Sequence, residues 1–162
     1  MRTIQLTQGK VALVDDSDYE WLNQWKWLAH KERGTYYALR SVRIKGRLNR
    51  KVIRMHRLIM NTPDNMLTDH RNHDGLNNQR YNLRVATPGQ NQHNRLSWGK
   101  SKFLGVGIVK TGINKGQITA QIHANGKKIH LGNFPTEEAA ARVYDVNAKE
   151  LFGEFANLNF PI

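Results

Sequence analysis

No cysteine occurs among the 162 residues. That excludes disulfides, thiolate nucleophiles, iron–sulfur clusters and Cys-ligated zinc fingers together. Any bound metal must sit on His, Asp, Glu or Asn. No run of about 18 apolar residues is present either, so neither a transmembrane helix nor a membrane partner is expected. The opening Met1-Arg2-Thr3-Ile4-Gln5 lacks the apolar stretch of a signal peptide. The chain is expected to stay where it is made, in a cytoplasm. No coiled-coil pattern or long apolar surface helix points to self-association, and a monomer is expected. Acid is scarce as well: 13 Asp and Glu stand against 25 Lys and Arg, a net +12 with a pI near 10.2. On so short a chain that excess suggests a polyanionic partner. What is present suffices for a folded core: 39% of residues are apolar and 23% charged, unlike a disordered chain.

The charge is unevenly placed. Residues 31–57 hold ten basic groups and one acid, residues 101–135 hold five Lys and no acid, and residues 136–162 carry a net −3. A single surface Lys is ordinarily just solvated. A net +9 within 27 residues is harder to dismiss, because like charges that close repel unless something neutralises them.

Three regions follow from the patterning. The first, 1–54, reads as a small β-rich basic module. Lys10–Val14 is a short apolar run, and Tyr19–Leu22 a helical turn capped by the acids of Asp15-Asp16-Ser17-Asp18. Residues 36–43 and 50–54 read as paired strands, with Lys45-Gly46-Arg47 between them as a turn. Arg40, Arg43, Arg50 and Arg54, with Lys45 and Arg47, would make a basic ribbon. Trp21, Trp25 and Trp27 read as core and lid for this sheet rather than as a stacking platform.

The second region, 55–97, begins with a short amphipathic helix at Met55–Met60. A polar, Asn-rich loop then follows Asp69-His70, and Leu83–Thr87 alternates like a strand. Thr87-Pro88-Gly89-Gln90 has the N-cap, first-turn proline and capping-box spacing of a helix start, which predicts helix over 91–97. Residues 98–101 read as a linker. The third region, 102–162, reads as three strands and a helix. Asn125-Gly126 is a strong hairpin signal, and Thr136-Glu137-Glu138 opens the helix. Ala140, Val143, Tyr144, Asn147, Ala148 and Leu151 are predicted to share one helix face, and Gly153 to end it. The fold class expected is α+β, ending in a three-stranded antiparallel sheet packed on one helix.

Asp69-His70 is a common dipeptide, and a lone His in a loop is usually structural. Its company raises its interest. Asn82 lies 12 residues after His70, and Asn91 lies 9 residues further on, at the start of the helix. Two strands and that helix would bring Asp69, His70 and Asn91 to one point, with Asn82 tying down the loop. Such a site offers a carboxylate and an amide oxygen to a hard cation, Mg²⁺ or Mn²⁺, and leaves an imidazole as base. Metal and base beside a basic surface suit phosphodiester hydrolysis. Neighbours in a strand point to opposite faces, so Asp69 and His70 both reach the site only where the strand ends or twists.

Residues 56–94 resemble the HNH nuclease motif of phage and intron-associated homing endonucleases. The likeness is carried by His56-Arg57, by Asp69-His70-Arg71-Asn72-His73-Asp74-Gly75-Leu76-Asn77-Asn78, by Asn82-Leu83-Arg84-Val85-Ala86-Thr87 and by Gln90-Asn91. It implies a ββα-metal nuclease core with His70 as general base and Asn82 holding the loop. It also implies one divalent ion on Asp69 and Asn91, with Asn91 giving the H-N-N form. His93 is a weaker rival ligand, His73 a second one that reads rather as part of the turn before Asp74-Gly75, and His56 reads as a brace. Were the chain phage-encoded, its cytoplasm would be that of a bacterial host.

Residues 101–161 resemble the Apetala-type, or ethylene-response-factor, DNA-binding domain. The residues that carry this include Ser101–Val106, Ala120-Gln121-Ile122, Asn125–Phe134, Glu137–Ala140, Tyr144-Asp145 and the tail 151–161. The resemblance implies a sheet laid in the major groove of double-stranded DNA. Gly107 stands where those domains usually have Arg, and Ile118 where they often have Trp. DNA contact then falls more on Lys110, Gln117, Thr119, Gln121, His123, Lys127 and Lys128. The leading expectation is a metal-dependent DNA endonuclease. The alternatives are a DNA-binding regulator with an inactive HNH fold and an RNA-binding protein.

Overall fold

The computed structural model describes residues 1–32, 34–43, 50–95 and 101–161. The chain is mixed α and β and divides into two units, Met1–Pro88 and Gly89–Ile162. Among the described residues no helix is long and apolar enough to cross a membrane.

In the first unit, β1 (Arg2–Gln5) pairs antiparallel with β2 (Val11–Val14), Ile4 opposite Ala12. Only β2 has an apolar run to announce it. In β1 the single buried residue is Ile4, too little pattern to read. Helix α1 (Asp16–Asn23) follows, but Asp15 at its N-cap makes no side-chain cap bond. Its carboxylate accepts instead from the Arg80 backbone N–H at 2.8 Å and from Gln79 Nε2 at 3.2 Å. The expected acidic cap is spent on a distant loop.

Strands β3 (Leu28–Glu32), β4 (Thr35–Arg43) and β5 (Arg50–Arg54) form an antiparallel sheet with β4 central. The alternation of β4 turns Ala38 and Arg40 to one side and Leu39, Ser41 and Arg43 to the other. Ala29 and Ala38, paired across the strands, are buried and set the core side. Trp27 is buried too and donates its Nε1–H to Leu22 O at 2.9 Å, while Trp21 and Trp25 lean on the core. The three indoles therefore serve packing.

Helix α2 (Met55–Ile59) continues directly from β5 and buries Met55 and Ile59 in the same core. Each such side chain contributes about 1.5–3 kcal/mol by burial. Arg57 ties the following turn, donating to the carbonyls of Met66 at 2.7 Å and Pro63 at 2.9 Å. Strands β6 (Leu67–His70) and β7 (Leu83–Ala86) then pair antiparallel across loop 71–82. Ile4, Val14, Leu22, Trp27, Met55 and Leu83 belong to one core cluster, so residues 1–54 and 55–88 share it.

Helix α3 (Pro88–His93) starts at the proline and is shorter than the 91–97 expected: Asn94 is turn and 96–97 lie outside the described residues, as does most of the expected linker. In the second unit, β8 (Val106–Ile108), β9 (Ile118–Ala124) and β10 (Lys127–Phe134) make an antiparallel sheet with β9 central. Asn125 and Gly126 join β9 to β10 with φ of 51° and 72°, the two left-handed residues of a type I′ hairpin. Helix α4 (Glu137–Phe152) is capped by Thr136, whose side chain accepts from Ala139 N at 3.1 Å. Its buried residues are Ala140, Ala141, Tyr144 and Ala148, while Leu151 stays 46% exposed. The small alanines rotate the buried face toward Ala141 and away from Leu151. Gly105 has φ +71°, and a Cβ there would run into the Tyr144 ring. Only glycine allows the strand to approach the helix so closely.

Candidate active site

Asp69 and His70 end β6, and both are buried, at 7% and 6% exposure. They nevertheless meet different surroundings, as strand alternation requires. Asp69 lies opposite Arg84 in the ladder, and its Oδ2 accepts from Arg84 Nε at 2.8 Å and Nη2 at 2.7 Å. The His70 ring lies 5.0 Å from that of His56 and 5.7 Å from that of Tyr37. Its Nε2 is 3.5 Å from Asn78 Oδ1, a long and weak hydrogen bond.

Burial pushes the His70 imidazole below its usual pKa, against the opposing pull of Asn78, Asp69 and Asp74. The ring is thus held neutral, the form that accepts a proton. His56 is pushed down from 6.5 to about 3, first by burial, then by repulsion from His70 should that ring take a proton, and by the charges of Arg54 and Arg57. Its buried Nδ1 has no hydrogen-bond partner. Tyr37 closes the cluster, with its ring 5.5 Å from that of His56.

The loop after His70 is fixed by its own amides. Asn82, 1% exposed, accepts from the Asn72 N–H at 3.1 Å and donates to Asn77 O at 2.8 Å. Asn72, Asp74 and Asn77 each accept from a backbone N–H two residues on, which turns the chain repeatedly. His73 has a left-handed φ of 64° and belongs to this turn. Leu13 N and O bond Leu76 O and Asn78 N at 2.9 and 2.8 Å, so β2 anchors the loop. Gly75 abuts β4: a Cβ there would strike Tyr36 O and the Tyr37 ring. That contact seats the loop beside the ring that faces His70.

Asn91 lies on α3 and is half-buried. The His93 ring stacks on Phe152 at 3.7 Å with planes 8° apart, which makes it a packing group rather than a rival ligand. Among the described residues no three His, Cys, Asp or Glu cluster so as to hold a metal. The donor chemistry does not fit a closed zinc cage. A carboxylate and an amide oxygen, Asp69 and Asn91, are by type donors for a hard cation such as Mg²⁺.

The basic residues separate by face. Arg43 and Arg50 stand directly opposite each other between β4 and β5, both exposed. Like charges so placed repel. Arg40 lies on the core side, its guanidinium 3.8 Å from the Trp25 ring centre. Lys45 and Arg47 lie outside the described residues. In the second unit, Lys110 and Gln117 are exposed in the β8–β9 connection. Gln121 and His123 share the β9 face turned away from Ile122 and α4, and Lys128 pairs with His123 on that face. Lys127, opposite Ala124, belongs to the other face. Thr119 is buried, its Oγ1 within 3.0 Å of His130 Nδ1 and 3.1 Å of Gly132 O.

Sequence reasoning missed Arg84, Tyr37, Asn78 and His130. Arg84 was readable in principle, as a charge set opposite Asp69 once the two strands are put in register. Tyr37 comes from 33 residues upstream of His70, and no local pattern announces it.

No family model matches the chain. It is 41% identical over 97 residues, 60% of its length, to an uncharacterised HNH endonuclease of Acanthamoeba polyphaga mimivirus. Over 46 residues, 28% of the chain, it is 50% identical to an AP2/ERF and B3 domain-containing protein of Oryza sativa subsp. japonica. Over 36 residues, 22% of the chain, it is 50% identical to dehydration-responsive element-binding protein 2A of Arabidopsis thaliana. The chain spans 49%, 13% and 11% of the lengths of these three relatives.

Proposed function

We propose that the chain is a metal-dependent endonuclease of the HNH type that hydrolyses phosphodiester bonds in double-stranded DNA. One observation carries the reading. A buried imidazole held neutral, His70, adjoins the carboxylate Asp69 at the mouth of a loop tied by Asn82. The similarity to a protein named HNH endonuclease supports it.

In this reading the motif at 56–94 is a ββα-metal core. His70 takes the proton of the attacking water, and Asn82 keeps the loop and the imidazole in place. Asp69 and Asn91, by their places in the motif, hold the cation. When bound, that cation, Mg²⁺ or Mn²⁺, would supply charge neutralisation at the scissile phosphate and at the leaving 3′ oxygen. Arg43 and Arg50, with Lys45 and Arg47, grip phosphates, and Arg40 braces their sheet against Trp25. Lys110, Gln117, Gln121, His123 and Lys128 meet DNA from the second sheet, as the AP2/ERF similarity suggests. Thr119 holds His130 on that face, and Lys127 adds charge at the edge. A monomer with one such site nicks one strand, in the cytoplasm.

A second reading, a DNA-binding regulator without hydrolysis, draws on the Arg84 guanidinium already seated on Asp69. Nicking of supercoiled plasmid with Mg²⁺ or Mn²⁺ separates the two. Wild type should nick, and Asp69→Ala and His70→Ala should each lose about a thousandfold in rate. Equal activity in all three proteins would overturn the assignment.

A further inference from the structure

The pairing of Asp69 with Arg84 sits awkwardly beside a metal site. Both side chains are buried, and both guanidinium bonds end on one oxygen, Oδ2, at 2.8 and 2.7 Å. Ladder register sets the two residues directly opposite each other, so the pair is built into the β6–β7 strand pairing rather than being a chance surface contact. A divalent ion approaching the protein alone therefore meets a carboxylate whose charge is already cancelled. Mg²⁺ gives up water reluctantly, and one neutralised carboxylate offers it little in return. A DNA phosphate restores a negative charge at the same place.

We infer that Arg84 makes cation loading depend on DNA: it suppresses metal binding to the free protein, so that the ion enters together with the scissile phosphate. The inference rests on the nuclease reading above. By linkage the metal must in turn tighten DNA binding. The device would keep a hydrolytic ion out of the site when no substrate is present.

The test is titration of the DNA-free full chain with Mn²⁺, followed by the loss of the free-ion electron paramagnetic resonance signal. Arg84→Gln keeps a donor for Asp69 and removes the charge; Arg84→Lys keeps the charge and loses the fork. A unit charge acting on a divalent ion a few ångströms away changes affinity by about tenfold at water-like dielectric. Arg84→Gln should therefore bind Mn²⁺ about tenfold tighter than wild type. Arg84→Lys should stay near wild type, and adding Asp69→Asn should erase the gain. Should Arg84→Gln fold poorly, its melting temperature should rise more with Mn²⁺ than that of wild type. Equal or weaker Mn²⁺ binding by Arg84→Gln, or a gain that survives Asp69→Asn, overturns the inference. If wild type nicks DNA and Arg84→Gln shows no gain, only this inference falls. If wild type nicks with no metal at all, the reading beneath it falls first.

Discussion

The two units treat their polar side chains in opposite ways. Among the described residues the first unit buries Asp18, His56, Asp69, His70, Asn77, Asn78, Asn82 and Arg84, whereas the second buries Asn94 and Thr119. The second unit packs Ile122, Tyr144 and Ala148 inside and leaves His123, Lys128 and His130 exposed on its sheet. A buried polar group costs stability unless it is satisfied, and most of these eight are held by hydrogen bonds or ion pairs, so what the unit gains from them is order more than net stability. What it gains is fixed geometry around His70. An exposed polar face gives up geometry but stays free to exchange water for a partner. Under the proposed function the contrast divides the molecule into a part that positions, with Arg43 and Arg50 adding phosphate contact, and a part that binds.

Three perturbations sharpen or break that division. The largest effect falls on the loop. Asn82→Ala leaves Asn72 N and Asn77 O without their buried partner. It should cost about 2–3 kcal/mol in denaturant unfolding and lower cleavage further than the stability loss explains. A silent Asn82→Ala would mean that the loop positions nothing.

The next effect is on pH. The folded pKa of His56 is about 3, below the ordinary 6.5. The unfolded chain therefore takes up the proton first. The stability held by neutral His56 is complete above about pH 6.5 and is lost as the pH falls toward 3, by up to about 1.4 kcal/mol per unit. His70, shifted in the same direction, adds to the slope. Unfolding free energy measured from pH 7 to 5 should fall less steeply in His56→Phe, by about 0.7 proton on average and close to one near pH 5. Parallel slopes would contradict the burial account.

The smallest effect has the opposite sign. Arg50→Ala relieves the repulsion with Arg43 across the β4–β5 pair and should stabilise the fold by about 0.2–1 kcal/mol. It should weaken duplex binding and flatten its salt dependence by about one counterion. Loss of stability together with unchanged binding would remove the phosphate role of that sheet.

Much of the fold was legible because local signals agreed with tertiary packing. Asn125-Gly126 could turn only one way, Thr136 caps as its sequence promises, and the β4–β5 pairing is as read. What escaped was decided at long range. The β1 strand exists because β2 needs an edge partner, not because Arg2-Thr3-Ile4-Gln5 prefers extension. Asp15 reads as a helix cap but is recruited by Arg80, 65 positions away. In the candidate site, the motif singled out Asp69, His70 and Asn82, but the groups that set their state come from other elements. Arg84 crosses from the paired strand, Tyr37 from the sheet and His56 from α2. The adjacent Lys127 and Lys128 look alike in sequence, and only the ladder register puts them on opposite faces.

The division between positioning and binding is tested most directly by a crossed measurement on full-length protein. Single-turnover cleavage and duplex affinity are measured together for wild type, His70→Ala and Lys128→Ala. The expected pattern is loss of cleavage with unchanged affinity in His70→Ala, and weaker affinity with an unchanged rate at saturation in Lys128→Ala. A His70→Ala protein that cuts at the wild-type rate would contradict it.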